Sequence, residues 1–256
     1  MLLRRQEPRT QAHCHLAPGS CLRRSTGSIL GALLLLIASQ PARAQLSAEA
    51  ALTSDYRLRG YSLSHREPAA SLTLGYDDAS GLFVDGTAVL LRMPGGKIGF
   101  MGGFATIGYA KRLSSDLSLD AGLLRAQFTR QSSYRRNASY TELFAGLTGR
   151  SFAVRAALSP DYLWDRTTTL YVSGELVRRP WPKWRVVAHA GLLATLSGGP
   201  PYPASETQYD WSLRVGRQLG KADLELAWSN GGPNREMFDG RWHPKSALTG
   251  TARWAF

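Results

Sequence analysis

The final ten residues alternate in character. Leu248, Gly250, Ala252, Trp254 and Phe256 fall on one side of an extended chain, and Ala247, Thr249, Thr251, Arg253 and Ala255 on the other. Successive side chains of a strand point to opposite faces, so this segment is a strand with one apolar, aromatic-tipped face and one face that holds an arginine. Such a strand either closes a membrane β-barrel or lies at the edge of a soluble sandwich. The same two-residue period recurs upstream. Ala222, Leu224, Leu226 and Trp228 oppose Asp223, Glu225 and Ala227; Tyr209, Trp211, Leu213 and Val215 oppose Asp210, Ser212 and Arg214; Trp184, Val186, Ala188, Ala190 and Leu192 oppose Arg185, Val187, His189 and Gly191. Twelve strands are predicted, near 46–56, 68–77, 81–91, 101–112, 116–128, 138–149, 151–160, 168–179, 183–196, 207–218, 221–230 and 246–256. Their lengths match the roughly 9–11 residues that a tilted strand needs to cross a bilayer. The adjacent Leu143 and Phe144 blur the alternation in 138–149, and ten strands result if that segment and 151–160 are read otherwise.

The connections also alternate. Short turns such as Asp78-Ala79-Ser80, Leu113-Ser114-Ser115 and Pro180-Trp181-Pro182 take turns with longer loops that gather Gly, Pro and charge, such as Gly198-Gly199-Pro200-Pro201-Tyr202-Pro203 and Gly231-Gly232-Pro233-Asn234. Short turns at one end, long loops at the other and an even strand count describe a bacterial outer-membrane barrel with both termini on the periplasmic side. The polar faces carry both signs. Parity predicts that Glu49, Asp85, Asp120, Glu142, Arg155, Glu175, Arg185, His189, Arg214, Asp223, Glu225 and Arg253 face the lumen. The opposite faces are mostly Leu, Val, Ala and Gly. Lipid covers such a face without jigsaw complementarity, whereas a sandwich core built from it would hold cavities. Tyr76, Tyr109, Trp184, Tyr209, Trp211, Trp228, Trp254 and Phe256 lie toward strand ends, as in the aromatic girdles of membrane barrels.

The N-terminus reads as an export signal. Arg23 and Arg24 precede the apolar run Ile29–Ala38, and Pro41-Ala42-Arg43-Ala44 ends it. A positive flank, a short apolar core and a small-x-small end predict cleavage after Ala44, and the run is too short for a membrane-spanning helix. Cutting there leaves residues 45–256 as the barrel and removes both cysteines, Cys14 and Cys21. It also removes six arginines and one glutamate, which lowers the net charge from +12 to +7. Export and the scatter of basic residues argue against nucleic acid as a partner and favour anionic lipid headgroups or solutes.

The segment Leu52-Thr53-Ser54-Asp55-Tyr56-Arg57-Leu58-Arg59-Gly60-Tyr61-Ser62, followed by Pro68-Ala69 and Gly75-Tyr76, resembles the opening signature of the TorF-type (Gcw_chp) family of proteobacterial outer-membrane porins. Ser54, Asp55, Tyr56, Arg57, Arg59 and Gly60 carry the resemblance, with Leu58 where the family usually has Phe. The strong match spans about forty residues. It implies an outer-membrane barrel and a pore, and it implies no particular solute. Trp254 and Phe256 are expected to signal the barrel-assembly machinery, although Thr251 stands where that signal usually has glycine.

No metal-ligand spacing and no phosphate-cradling glycine loop is present, and no cofactor is expected. His189 lies on a lumenal face, while His65 and His243 fall in loops close in sequence to Ser62, Ser64 and Ser246. Asp55, Tyr56, Arg57 and Arg59 have two readings. They form a mouth element that sets solute preference, or Asp55 pairs with a neighbouring Arg and the tyrosine marks the interface. The loop cations Arg57, Arg59, His65, Arg66, Arg92, Lys97, Arg130, Arg135, Arg136, Arg166, Arg235, Arg241 and Lys245 are suited to lipopolysaccharide phosphates or to drawing anions to the mouth. The chain is therefore expected to be a non-enzymatic passive channel for small polar or anionic solutes in the outer membrane of a Gram-negative bacterium. The alternatives are a non-conducting barrel that binds lipopolysaccharide or an external ligand, and a lipid-modifying enzyme that uses His65 or His243.

Overall fold

The computed structural model describes residues 44–198, 207–233, 242 and 244–256. Residues 1–43 of the proposed leader and His243 lie outside these residues, as do Arg235, Arg241, Asn234 and residues 199–203 of the Gly198–Pro203 cluster.

The chain forms β1 (Ala44–Thr53), a short hairpin of β2 (Arg57–Leu58) and β3 (Tyr61–Ser62), then β4 (Ala69–Asp78), β5 (Leu82–Arg92), β6 (Ile98–Ser114) and β7 (Leu117–Phe128). It continues with β8 (Ala138–Gly149), β9 (Phe152–Ser159), β10 (Thr168–Arg178), β11 (Trp184–Ser197), β12 (Gln208–Leu219), β13 (Ala222–Gly231) and β14 (Ala247–Ala255). β1 and β4 to β14 make a closed antiparallel barrel of twelve strands, each paired with its neighbours in sequence order. Closure comes from β1 on β14, from Glu49↔Ala255 to Thr53↔Thr251. Segment 138–149 is one uninterrupted strand, so the count is twelve.

Exposure separates the two faces. Leu46, Leu52, Leu72, Leu74, Ile107, Leu143, Leu226 and Leu248 all point outward and are exposed, Leu46 at 81%. A continuous apolar outer band of this kind needs a non-aqueous partner. Aromatics border it. Tyr76, Tyr109, Trp184, Trp254 and Phe256 stand at the short-turn end, while Tyr209, Trp211 and Trp228 stand at the other, with the last two rings packed edge-on at 5.0 Å.

One break in the alternation is resolved by a bulge. Phe100 and Ile107 are an odd number of residues apart, yet both face outward. Val89 pairs with Gly102 and Leu90 with Phe100, so Met101 is an extra residue that resets the phase of β6. Gly102 takes φ +147°, and a Cβ there would lie 2.2 Å from the Gln127 carbonyl oxygen.

The first long connection folds inward over part of its length, and the predicted end of β1 is corrected. β1 ends at Thr53, not at 56; residues 55–64 turn back into the mouth, while 65–68 are exposed. Asp55 organises the turn: its Oδ1 accepts from Ser62 Oγ (2.5 Å) and Ser64 Oγ (3.2 Å), and its Oδ2 from Arg57 Nη1 (2.9 Å). Leu63 and Ser64 become fully buried, and Tyr61 stacks on Tyr134 at 5.5 Å. Phe128, Tyr140 and Tyr162 complete an apolar core across this end of the barrel. Burying each large side chain contributes about 1.5–3 kcal/mol, enough to hold a loop that would otherwise be hydrated. Arg57 and Arg59, expected among the solvent-facing loop cations, are therefore largely buried, because the carboxylates that neutralise them lie inside the loop and the barrel.

Candidate pore lining and mouth

Inward-facing polar residues form three tiers. Nearest the short turns, Arg155 donates to Asp120 at 2.7 Å. On the opposite wall Arg185 donates to both oxygens of Asp223 (2.7 and 3.0 Å) and to Glu225 (2.8 Å), and Arg253 donates to Glu225 at 3.0 Å. Two Arg–carboxylate pairs span an intervening strand over a glycine. Gly146 lies between Asp120 and Arg155 in register, and Gly216 between Arg185 and Glu225. A Cβ at Gly146 would meet Asp120 Oδ1 at 2.7 Å, and one at Gly216 would meet Arg185 Nη2 at 2.8 Å. The missing side chains leave grooves in which the ion pairs lie flat on the wall. Charge-assisted bonds of this type are short and strong, and they hold the wall rigid.

The middle tier joins β10, β11 and β12. Arg214 Nη2 bonds Glu175 Oε1, and Glu175 stands 3.5 Å from His189 Nδ1. His189 Nε2 lies 2.8 Å from Asp210 Oδ1, and Asp210 Oδ2 accepts from the Tyr171 hydroxyl at 3.0 Å. Gly191 again provides the space, since a Cβ there would sit 2.1 Å from the Tyr171 hydroxyl.

The third tier is the mouth. Arg59, carried by the folded-in loop, donates from Nη2 to Glu142 Oε1 at 2.6 Å, and Glu142 is 2% exposed. The guanidinium lies over Tyr171 at 4.0 Å and Tyr162 at 5.1 Å. Burial disfavours the Arg59 charge, but Tyr162 and Glu142 outweigh it and hold the group well above the ordinary arginine value, so it stays cationic. Burial likewise pushes the Tyr56 hydroxyl of this loop up to about 12. Arg57 donates to the carbonyl oxygens of Gly60 and Lys245 (2.9 Å to the latter), tying the loop to the chain just before β14.

Glu49 shares its inward row with Thr73 and Ala255, and Asp85 with Gly75 and Thr106. Inward carboxylates outnumber inward guanidiniums: Glu49, Asp77, Asp85, Asp120, Glu142, Glu175, Asp210, Asp223 and Glu225 against Arg112, Arg155, Arg185, Arg214 and Arg253. Tyr140, Tyr162, Tyr171 and Asp210 were not singled out from sequence as site residues. The available signals were the Tyr140-x-Glu142 spacing and the place of Asp210 on the polar face opposite Tyr209 and Trp211. His65 Nε2 lies 3.1 Å from the Gln131 carbonyl oxygen, while the nearby Ser62 and Ser64 donate to Asp55. No cluster of His, Cys, Asp and Glu suited to a metal occurs among the described residues.

A family model described as a bacterial protein of unknown function (Gcw_chp) matches residues 38–248; the match carries no subfamily label. No curated protein matches the sequence. Among solved structures the NanC porin is 12% identical with a TM-score of 0.53, the alignment covering 83% of this chain and 99% of that one. The KdgM porin is 8% identical (TM-score 0.48, covering 83% and 99%), and Pseudomonas aeruginosa OprD is 10% identical (TM-score 0.38, covering 85% and 68%). The likeness to NanC establishes the fold as that of an outer-membrane porin barrel.

Proposed function

The chain belongs to the Gcw_chp family, and we propose that it is an outer-membrane channel for the passive diffusion of small polar solutes. The observation that carries this reading is the inner wall. It is lined by paired charges, two of the pairs lying over glycines, so the barrel interior below the mouth presents polar groups. A barrel meant only as a membrane anchor has no need of such a wall. Rings of charge tune selectivity in such channels, and twelve strands put the lumen between the filled eight-stranded and the open sixteen-stranded case. Of the loop cations, Arg57 and Arg59 are held by carboxylates in the mouth, and others such as Arg66, Arg92 and Arg130 are exposed. Inside, carboxylates are in excess, so charged solutes that pass are cations rather than anions.

The remaining parts of the reading follow from chemistry. The short-turn end and both chain ends face the periplasm after signal-peptide export, and the exposed loop arginines meet lipopolysaccharide phosphates. Trp254 and Phe256 present the last strand to the barrel-assembly machinery. No enzymatic role is proposed. The inward-folded loop favours one second reading, a barrel closed at rest that opens or binds a ligand at its mouth.

Single-channel recording of refolded protein in a planar bilayer, with a salt gradient, tests the proposal. Stepwise openings with a cation-leaning reversal potential are expected. Silence from a folded, heat-modifiable barrel would transfer the reading to the closed, ligand-binding form.

A further inference from the structure

Arg59 occupies a site with the chemistry of a cation receptor. Its guanidinium carbon lies 4.0, 5.1 and 5.8 Å from the ring centroids of Tyr171, Tyr162 and Tyr140, and Nη2 donates to Glu142 at 2.6 Å. Aromatic faces carry negative charge density, and a desolvated cation over them is attracted more strongly than one in water. Three rings and one carboxylate therefore define a site selective for a flat or compact organic cation.

The site and its occupant belong to different parts of the chain. Tyr140 and Glu142 stand two residues apart on β8 and Tyr171 stands on β10, so the barrel wall supplies three of the four groups, and Tyr162 comes from the connection between β9 and β10. Asp210 adds a second carboxylate beside it, bonded to the Tyr171 hydroxyl at 3.0 Å and lining the same small cavity as Arg59 and Tyr162. The occupant, by contrast, comes from a connecting loop. Arg59 adopts φ +50°, uncommon for a residue with a side chain, and Gly60 follows at φ +75°. Its Nη1 is buried with no hydrogen-bond partner among the described residues. A buried donor left unmatched weakens the hold of the loop, and a solute that satisfies the cage more fully can compete with it.

We propose that Tyr140, Glu142, Tyr162 and Tyr171 form a binding site for solutes bearing a guanidinium or ammonium group, and that Arg59 fills it in their place when no solute is bound. The proposal rests on the channel reading for its purpose: such a solute displaces Arg59 and with it the loop across the mouth. The binding itself is measurable without conduction.

The test is calorimetric titration of the detergent-folded protein with agmatine, which carries both cationic groups, at constant ionic strength. Arg59→Ala is expected to bind agmatine at least about ten-fold more tightly than the wild type, because the internal competitor is gone. Adding Glu142→Gln to Arg59→Ala is expected to abolish the binding. Equal affinity in wild type and Arg59→Ala, or binding indifferent to Glu142→Gln in a barrel that keeps its heat-modifiable migration, overturns the proposal. If Arg59→Ala does not fold, Arg59→Met keeps the aliphatic packing and removes the charge, and the same comparison applies. Conductance separates the two readings. Agmatine binding by a silent barrel supports the cage and refutes the pore, whereas a conducting Arg59→Ala barrel that binds no agmatine refutes the cage and supports the pore.

Discussion

Asp120 on β7 and Arg155 on β9 meet at 2.7 Å across an entire strand, because the residue of β8 that separates them in register is Gly146. Arg185 reaches Glu225 over Gly216 in the same way, and Tyr171 and Asp210 meet beside Gly191. Pairing with the second neighbour rather than the first ties three strands together by one contact. It also keeps long arginine side chains against the wall instead of across the passage.

A side chain at one of these glycines should release the pair above it. Gly216→Ala puts a Cβ 2.8 Å from Arg185 Nη2, so the guanidinium must lift from Glu225. A loss of about 1.5–3 kcal/mol in unfolding free energy is expected, the range for a hydrogen bond to a charged group. Urea titration in detergent measures it. In an Arg185→Gln background the same substitution should cost almost nothing, because the pair is already gone and the two effects are not additive.

The inward fold of the first loop depends on Gly60. At φ +75° its Cβ would come within 2.5 Å of the Gly231 carbonyl carbon and 2.8 Å of the Gly232 nitrogen, and backbone cannot move aside as a side-chain tip can. Gly60→Ala should therefore cost the docked loop more than about 1 kcal/mol while the barrel stays closed. Limited proteolysis should cut between β1 and β4 faster than in wild type, with heat-modifiability unchanged. An unaltered cleavage rate would mean that the loop is held by contacts other than this close approach.

The outer band predicts a depth profile. Leu74 lies mid-strand on β4, and Leu46 lies near the short-turn end of β1, paired with Tyr76 of the aromatic border. Leu74→Arg should cost about 2–4 kcal/mol of barrel stability in a bilayer, and Leu46→Arg about 0–1 kcal/mol. Reversible unfolding in lipid vesicles distinguishes this from a soluble barrel, for which the two substitutions would differ little.

The proposed assembly role of Phe256 is testable separately from its part in stability. It is 79% exposed, and its backbone N–H donates to the Ala48 carbonyl oxygen at 2.9 Å, a bond that does not involve the ring. Phe256→Ala should refold in detergent as the wild type does, yet reach the outer membrane of cells in much reduced amount. Comparing fractionated cells with refolding yield in vitro checks this, and equal loss in both would make the ring a packing element.

What could be read from the sequence was whatever repeats every two residues. Alternation in segments such as 222–228 and 247–256 marked strands and their two faces, and alternating short and long connections marked a closed meander. The twelve-stranded barrel followed, apart from register shifts such as the one in β6 where Met101 is extra. The ion pairs did not follow. Periodicity assigns a residue to a face, but it does not say which residue two strands away stands level with it. That depends on register, set by bulges and turns, and on which intervening position is glycine. The mouth was hidden for a related reason. Asp55, Tyr56, Arg57 and Arg59 stand out in sequence as a mouth element or an Asp55–Arg pair, but only three-dimensional closure brings Arg59 to Glu142, 83 residues away. Local sequence determined the strands and their polarity, because a side chain's face is fixed by the backbone within a few residues. Tertiary structure alone decided which charges meet and that the first loop enters the barrel, because those contacts exist only once the sheet has closed on itself.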